Sequence, residues 1–195
     1  MAQMTKHALA NSLKKLLRTK TINQITINDI TEDCGVSRMT FYYHFHDIYE
    51  LVEWIFSDAA STLLEHKDAY ATWQAGFLRI FQILQENSNF IMNVYHHVSR
   101  DHLESYLHKV LFSLISVVVE QETEGMVVPE RDKRFVIDFY KYALTGIIMD
   151  WIRGNMKEDP ECIVAAVSTL ISDNLTQVLS RYSLDYPAPL DASYA

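Results

Sequence analysis

Between Thr26 and Asp47 the chain has room for two short helices and a tight turn, and the residue types say where each begins and ends. Thr26, with Asp29 three residues on, has the form of a capping box, in which side chains satisfy the free amides of a helix start. Ile27, Ile30 and Cys34 then fall on one inward side. Gly35 suits the residue after a helix end, where the backbone turns left-handed and a β-carbon would clash. Val36 plugs the turn, and Ser37 can cap a second helix. There Phe41 and Phe45 sit four apart and pack inward, leaving Met39, Thr40 and Tyr43 outward with Tyr42 at the flank. Arg38, Thr40, Tyr42, Tyr43, His44 and His46 are crowded into this stretch. That is either a catalytic or metal-binding constellation or a surface that hydrogen-bonds to something polar and repetitive, such as a phosphodiester backbone.

The rest of the chain reads as helical too, so the expected fold class is all-α. Five glycines and four prolines in 195 residues leave few breakers, and apolar residues recur at helical spacing. A first helix, "TKHALANSLKKLLRT", gathers Ala8, Leu9, Leu13, Leu16 and Leu17 on one side. Asp47 can cap a long helix, "IYELVEWIFSDAASTLLEH", that leaves the head without a flexible linker. Further helices are expected at 70–86, 88–98, 101–122, 132–153 and 160–182, separated by breakers such as "TEGMVVPE" and "GNMKEDPE". The tail, "SLDYPAPLDASYA", has no helical period and reads as frayed. The expected division is a helix-turn-helix head at 1–46, a helical body at 47–182, and a flexible tail at 183–195.

Net charge is −8, which looks wrong for a nucleic-acid binder until its distribution is read. Residues 1–46 hold six lysines and arginines against three acids, hence +3; the remainder carries −11. Salt screens fields beyond about 8 Å, so a polyanion at the head feels little of the body. No run reaches the roughly 18 apolar residues of a membrane span, and the amino terminus lacks a signal-peptide apolar region. A cytoplasmic chain with no membrane partner is expected. Cys34 and Cys162 lack the spacing of a zinc or redox pair and read as small buried residues.

His96, His97, His102 and His108, with Asp101 nearby, raise the question of a metal. Adjacent histidines on a helix diverge by about 100°, whereas a zinc site needs convergence, so no metal and no cofactor are expected. GxSxG, HExxH, P-loop and dinucleotide motifs are missing, so no enzyme is expected. Two alternatives stay open: a helical enzyme or metal bundle using the body histidines, and an adaptor that binds only protein.

The helices at 132–153 and 160–182 are apolar around much of their circumference. Terminal helices are poorly placed to be central, so a homodimer is expected, with Leu144, Ile147, Ile148, Val167, Leu170, Ile171 and Leu175 at its interface.

The stretch "ITINDITEDCGVSRMTFYYHFHDIYELV" resembles the DNA-binding head of TetR-family transcriptional regulators in its Ile-Thr, Asp-Ile, Gly-Val-Ser and Phe-Tyr-x-x-Phe order. The likeness covers about a quarter of the chain. It implies a three-helix head, a body dimerising through its last two helices, and an effector bound between head and interface. Carried over, it makes residues 37–43 the recognition helix, with Ser37, Arg38, Met39, Thr40 and Tyr43 near the groove and Thr26, Tyr42 and His44 at phosphates. Bidentate Arg to guanine is the commonest specific base contact, and Tyr hydroxyls suit phosphates. One departure is Ile48, where the family usually has a lysine; His46 is a candidate substitute. Trp73, Phe77, Phe81, Met92, Tyr95, His96, Tyr140 and Trp151 fall on the segments that enclose the effector pocket in similar proteins. "TFYYHFHDIYELVEWIF" is also similar to regulators of dihydroxyacetone kinase operons, where a protein partner can replace a small effector and activation can replace repression. The function expected is therefore a sequence-specific regulator, homodimeric on a near-palindromic duplex operator, controlled by a small-molecule effector or a protein co-regulator.

Overall fold

The computed structural model describes residues 2–65, 72–98, 100–171 and 174–183; the tail from 184 onward lies outside the described residues. All described elements are helices. The head holds α1 (Ala2–Leu16), a 3-10 turn (Ile22–Gln24), α2 (Ile27–Asp33) and α3 (Arg38–His44). The body holds α4 (Ile48–Glu65), α5 (Trp73–Glu86), α6 (Ser88–His97), α7 (Arg100–Glu122), α8 (Glu130–Arg153), α9 (Pro160–Ile171) and α10 (Asn174–Tyr182). The stretch expected as one helix at 160–182 is described as α9 and α10, with 172–173 outside the described residues.

Local signals act as the sequence suggests. Ser37 Oγ accepts from the Thr40 amide at 3.1 Å. Gly35 has φ +68°, the left-handed conformation that a residue without a β-carbon adopts at least cost. Asp47 Oδ1 accepts from the Glu50 amide at 2.9 Å, starting α4 within a few residues of the end of α3.

One continuous core runs from Leu9, Leu13, Ile30, Phe41 and Phe45 of the head through Leu51 and Phe56 of α4 into the body. Asn93 ties the head to the body, and contacts within each part brace that tie. Ser12 Oγ donates to the Ile30 carbonyl at 3.0 Å. The side chain of Asn93 on α6 accepts from the Ile22 amide at 3.3 Å and donates to the Leu17 carbonyl at 3.4 Å. Phe56 of α4 packs on Phe90 of α6 and Tyr106 of α7.

In the body α7 lies along both α4 and α8, and α5 lies on α9. The α7 stretch and the stretch Pro160–Tyr182 have the length and mean hydropathy of a membrane span. Neither is an unbroken apolar run, and in α7 Leu103, Leu107, Val110, Leu111 and Val119 are buried in the protein's own core.

Two expectations change. Cys162 is exposed and Cys34 half-buried; Cys162 is out of phase with Ile163, Val167 and Ile171, which carry α9's buried side. The apolar breadth of α8 and α9 is largely satisfied within one chain. Leu144, Ile148, Val167, Ile171 and Leu175, expected at a subunit interface, are buried here against neighbouring helices, while Ile147 is half-buried and Leu170 is 69% exposed. The outward side of α8 instead shows Phe135, Phe139 and Tyr142 about one turn apart.

Candidate nucleic-acid interface and body cleft

α3 is short and two-sided. Phe41 anchors it, in tilted contact with Phe45 at 5.9 Å, and Phe45 in turn meets Trp54 of α4 at 6.0 Å. With the inner side filled, Met39 is 79% and Tyr43 82% exposed, and Ser37, Arg38 and Tyr42 are exposed beside them. Thr40 and His44 are half-buried; Thr40 Oγ1 lies 2.9 Å from Ser37 Oγ, and the His44 ring meets Tyr43 edge-on at 4.9 Å. These seven residues share one patch at the tip of the head. An exposed Met and two exposed tyrosines there leave apolar surface and hydroxyls without partners from the core.

Charge on the head is less available than its total implies. Lys15 pairs with Asp33 at 2.5 Å and Lys20 with Asp29 at 2.9 Å, while Lys6 lies over the rings of Phe45 and Trp54. Arg38 has no acidic partner among the described residues. Its guanidinium lies 3.5 Å from the Tyr42 hydroxyl and beside that ring, so it is free to present its donors outward.

Thr26 is differently placed. Its amide donates to the Asp29 carboxylate at 2.8 Å and its hydroxyl donates to the same oxygen at 2.5 Å, while Thr26 Oγ1 accepts from the Asp29 amide. Hydrogen bonds from the Thr26 side chain, then Lys20 and the Thr26 amide, hold the Asp29 carboxyl well below the usual carboxylate range. Both Thr26 donors thus serve α2 and face a negative charge. At the start of α4, where the resemblance anticipates a lysine, Ile48 is half-buried and Glu50 Oε2 accepts from the His46 amide at 2.6 Å. His46 and Tyr49 are exposed there. Tyr49 was not foreseen; a tyrosine out of phase with Leu51, Val52 and Ile55 is the signal it offered.

The residues expected around an effector do not share one cavity. Phe77, Phe81 and Trp151 form a packed stack, with centroids 5.1 and 4.8 Å apart, inside the core. Trp73 and Tyr140 line a small apolar space of about 30 Å³, far below the hundreds of Å³ a small-molecule site needs. Met92 is half-buried at the core edge and His96 is exposed beside Tyr95. Tyr95 reaches a cleft of about 380 Å³ against α7 and α8, and the edge of Trp151 borders a separate one of about 510 Å³ between α8 and α9.

A wider cleft, about 640 Å³, opens between α4, α7 and α8 and holds none of those eight. α4 contributes Glu53, Ser57 and Ser61, α7 contributes His102, His108 and Lys109, and α8 contributes Arg134 and Lys141. Glu53 and His102 Nδ1 meet at 3.0 Å across the α4–α7 seam. Asp138 accepts from Lys141 at 2.6 Å and from Arg134 at 3.0 Å, and these bonds, led by Lys141, keep its carboxyl below its ordinary range. Burial, then the nearby Lys141 charge, pushes His108 down, and burial pushes the Tyr106 hydroxyl up to about 12. The missed signal was Lys141, a lysine in phase with the buried Ile137, Leu144 and Ile148. Among the described residues no three His, Cys, Asp or Glu side chains converge as metal ligands.

Comparison with known proteins agrees with this architecture. Residues 12–55 match the family described as bacterial regulatory proteins, tetR family, and residues 71–173 match a transcriptional regulator C-terminal region. The dhaKLM operon transcriptional activator DhaS of Lactococcus lactis subsp. lactis (strain IL1403) is 26% identical over 162 residues, covering 80% of this chain and 83% of that one. A solved dihydroxyacetone kinase operon activator DhaS superposes with TM-score 0.73 at 24% identity, over 89% of this chain and 97% of that one. The fatty acid degradation regulator FadR from Bacillus halodurans gives 0.64 at 15% identity, over 85% and 93%.

Proposed function

The chain belongs to the tetR family of bacterial regulatory proteins, DNA-binding transcriptional regulators rather than enzymes, and from that premise we propose that it works as a homodimer on a near-palindromic operator. Each head, residues 1–46, places α3 in a major groove, with half-sites one or more turns of about 10 bp apart. Arg38 reads a base edge, Met39, Thr40 and Tyr43 meet neighbouring bases, and Ser37, Tyr42, His44 and Tyr49 take phosphates. The single observation carrying this is the exposed face of α3, with Arg38, which has no acidic partner among the described residues, beside Met39 and Tyr43. Thr26 acts through the α2 cap.

The body, residues 47–182, joins two copies through the outward side of α8 and the exposed edge of α9, with Phe135, Phe139, Ile147 and Leu170 in contact. An effector or partner is sensed at the α4–α7–α8 cleft. Because α4 packs on α3 through Trp54 and Phe45 and also forms a wall of that cleft, a ligand preferring one position of α4 changes the separation of the heads. Likeness along most of the chain to an operon activator supports activation in the cytoplasm as the mode of control.

The test is capture of genomic fragments by the purified chain, then anisotropy titration of the recovered duplexes. A shared near-palindrome whose binding weakens in Arg38→Ala supports the reading; recovery of unrelated fragments, bound equally by both, overturns it.

A further inference from the structure

In a chain of net charge −8, the cleft between α4, α7 and α8 gathers cations. Lys109, Arg134 and Lys141 line it against one acid, Glu53. Just behind the lining, the Asp138 carboxylate is shared between Arg134 and Lys141, and Lys109 has no acidic partner among the described residues. Lys141 is only 8% exposed; Asp138 meets its charge at 2.6 Å but is shared with Arg134, so the lining keeps a surplus of positive charge. Hydroxyls accompany the charge: Ser57 and Ser61 from α4, Ser105 and Ser113 from α7. Beyond His108, which both clefts share, Thr145 Oγ1 is buried without a hydrogen-bond partner, one turn along α8 from Lys141. A buried hydroxyl left unpaired is unusual enough to need an explanation.

We propose that this cleft takes a small hydroxylated anion, a phosphate ester or carboxylate, whose charged group sits among Lys109, Arg134 and Lys141 and which displaces Glu53 from His102. This rests on the body being the effector-binding part of the regulator. A volume of about 640 Å³ fits a small metabolite. Convergent donors with a surplus of positive charge select an anion through charge-assisted hydrogen bonds. Glu53 is the one acid in the lining, so an incoming anion repels it and competes for its partner His102. Loss of that 3.0 Å link removes a polar tie between α4 and α7 and biases the position of α4 on its packed seam, and α4 is the helix that meets the head.

Calorimetry on the full chain uses glycerol 3-phosphate, inorganic phosphate and glycerate against uncharged glycerol at matched ionic strength. The anions bind and glycerol does not; Lys109→Gln and Arg134→Gln each weaken binding about tenfold or more while leaving operator affinity in anion-free buffer unchanged. Preference for glycerol 3-phosphate or for glycerate identifies the charged group. Binding by none of the anions, equal binding of glycerol, or full affinity in both variants overturns the proposal. Glu53→Gln tests the displacement: it is expected to reproduce, without anion, the change in operator affinity that anion causes in the parent. An operator affinity equal to that of the anion-free parent overturns the displacement. A chain that binds operator but no anion loses this inference alone, whereas a chain that binds no operator loses the regulatory reading beneath it.

Discussion

Phe41 and Tyr43 stand two residues apart on α3 and occupy opposite environments, one fully buried and the other 82% exposed. This division sets which residues serve stability and which serve recognition. Phe41→Ala should cost about 3–5 kcal/mol in unfolding free energy, since it opens a cavity in the head core. Tyr43→Ala should change stability by no more than about 0.5 kcal/mol and still weaken operator binding. Denaturant melts and anisotropy on both variants check the pair; a Tyr43 variant that is destabilised as much as the Phe41 variant contradicts the assignment.

Arg38 leans on Tyr42 without an acidic partner, so its removal leaves no buried charge behind. Arg38→Ala should keep the parent's melting temperature, lose about 1–3 kcal/mol at its cognate base, and relax preference at that position. Titrating duplexes substituted at each base pair locates the effect.

The Thr26–Asp29 box makes α2 pH-sensitive in a defined direction. The folded-state pKa of Asp29 lies below its ordinary value of 3.8. Its contribution is therefore present above that value and is lost as pH falls through the lowered folded value. Asp29→Asn should lower the melting temperature at neutral pH, and the gap to the parent should close in acid. A gap that persists unchanged down to pH 2 contradicts the box as its source.

Leu170 is exposed at the edge of α9, where a charge disturbs little within one chain. Leu170→Glu should fold normally, sediment as a monomer, and bind operator poorly because one half-site offers few contacts. A dimeric variant relocates the interface, with Phe139→Glu on α8 as the companion measurement.

Much of the head was legible in the sequence because its rules are local. Thr26 and Asp29, Gly35, Ser37, and the Phe41–Phe45 spacing each act within four residues, and each appears as read. Thr26 illustrates the limit: its type suits a phosphate, yet its donors face Asp29. The body depends on residues far apart in the chain. Phe77, Phe81 and Trp151 have the spacing of either a pocket wall or a packed core, and only the approach of α5 to α8 decides for the core. Leu144 and Ile148 likewise suit an interface until α7 is seen to cover them. The cleft could not be assembled from spacing, since Glu53, His102 and Lys141 sit on three helices; Lys141, charged at a core phase, was the one local sign.

The central claim is that the outward face of α3 reads a duplex, and the most direct measurement is anisotropy of the purified chain, parent and Arg38→Ala, on the genomic fragments it captures. The account predicts a shared near-palindrome bound by the parent well above random duplex, with that preference reduced in the variant. Equal, sequence-blind binding by both proteins, or none at low salt, would contradict it.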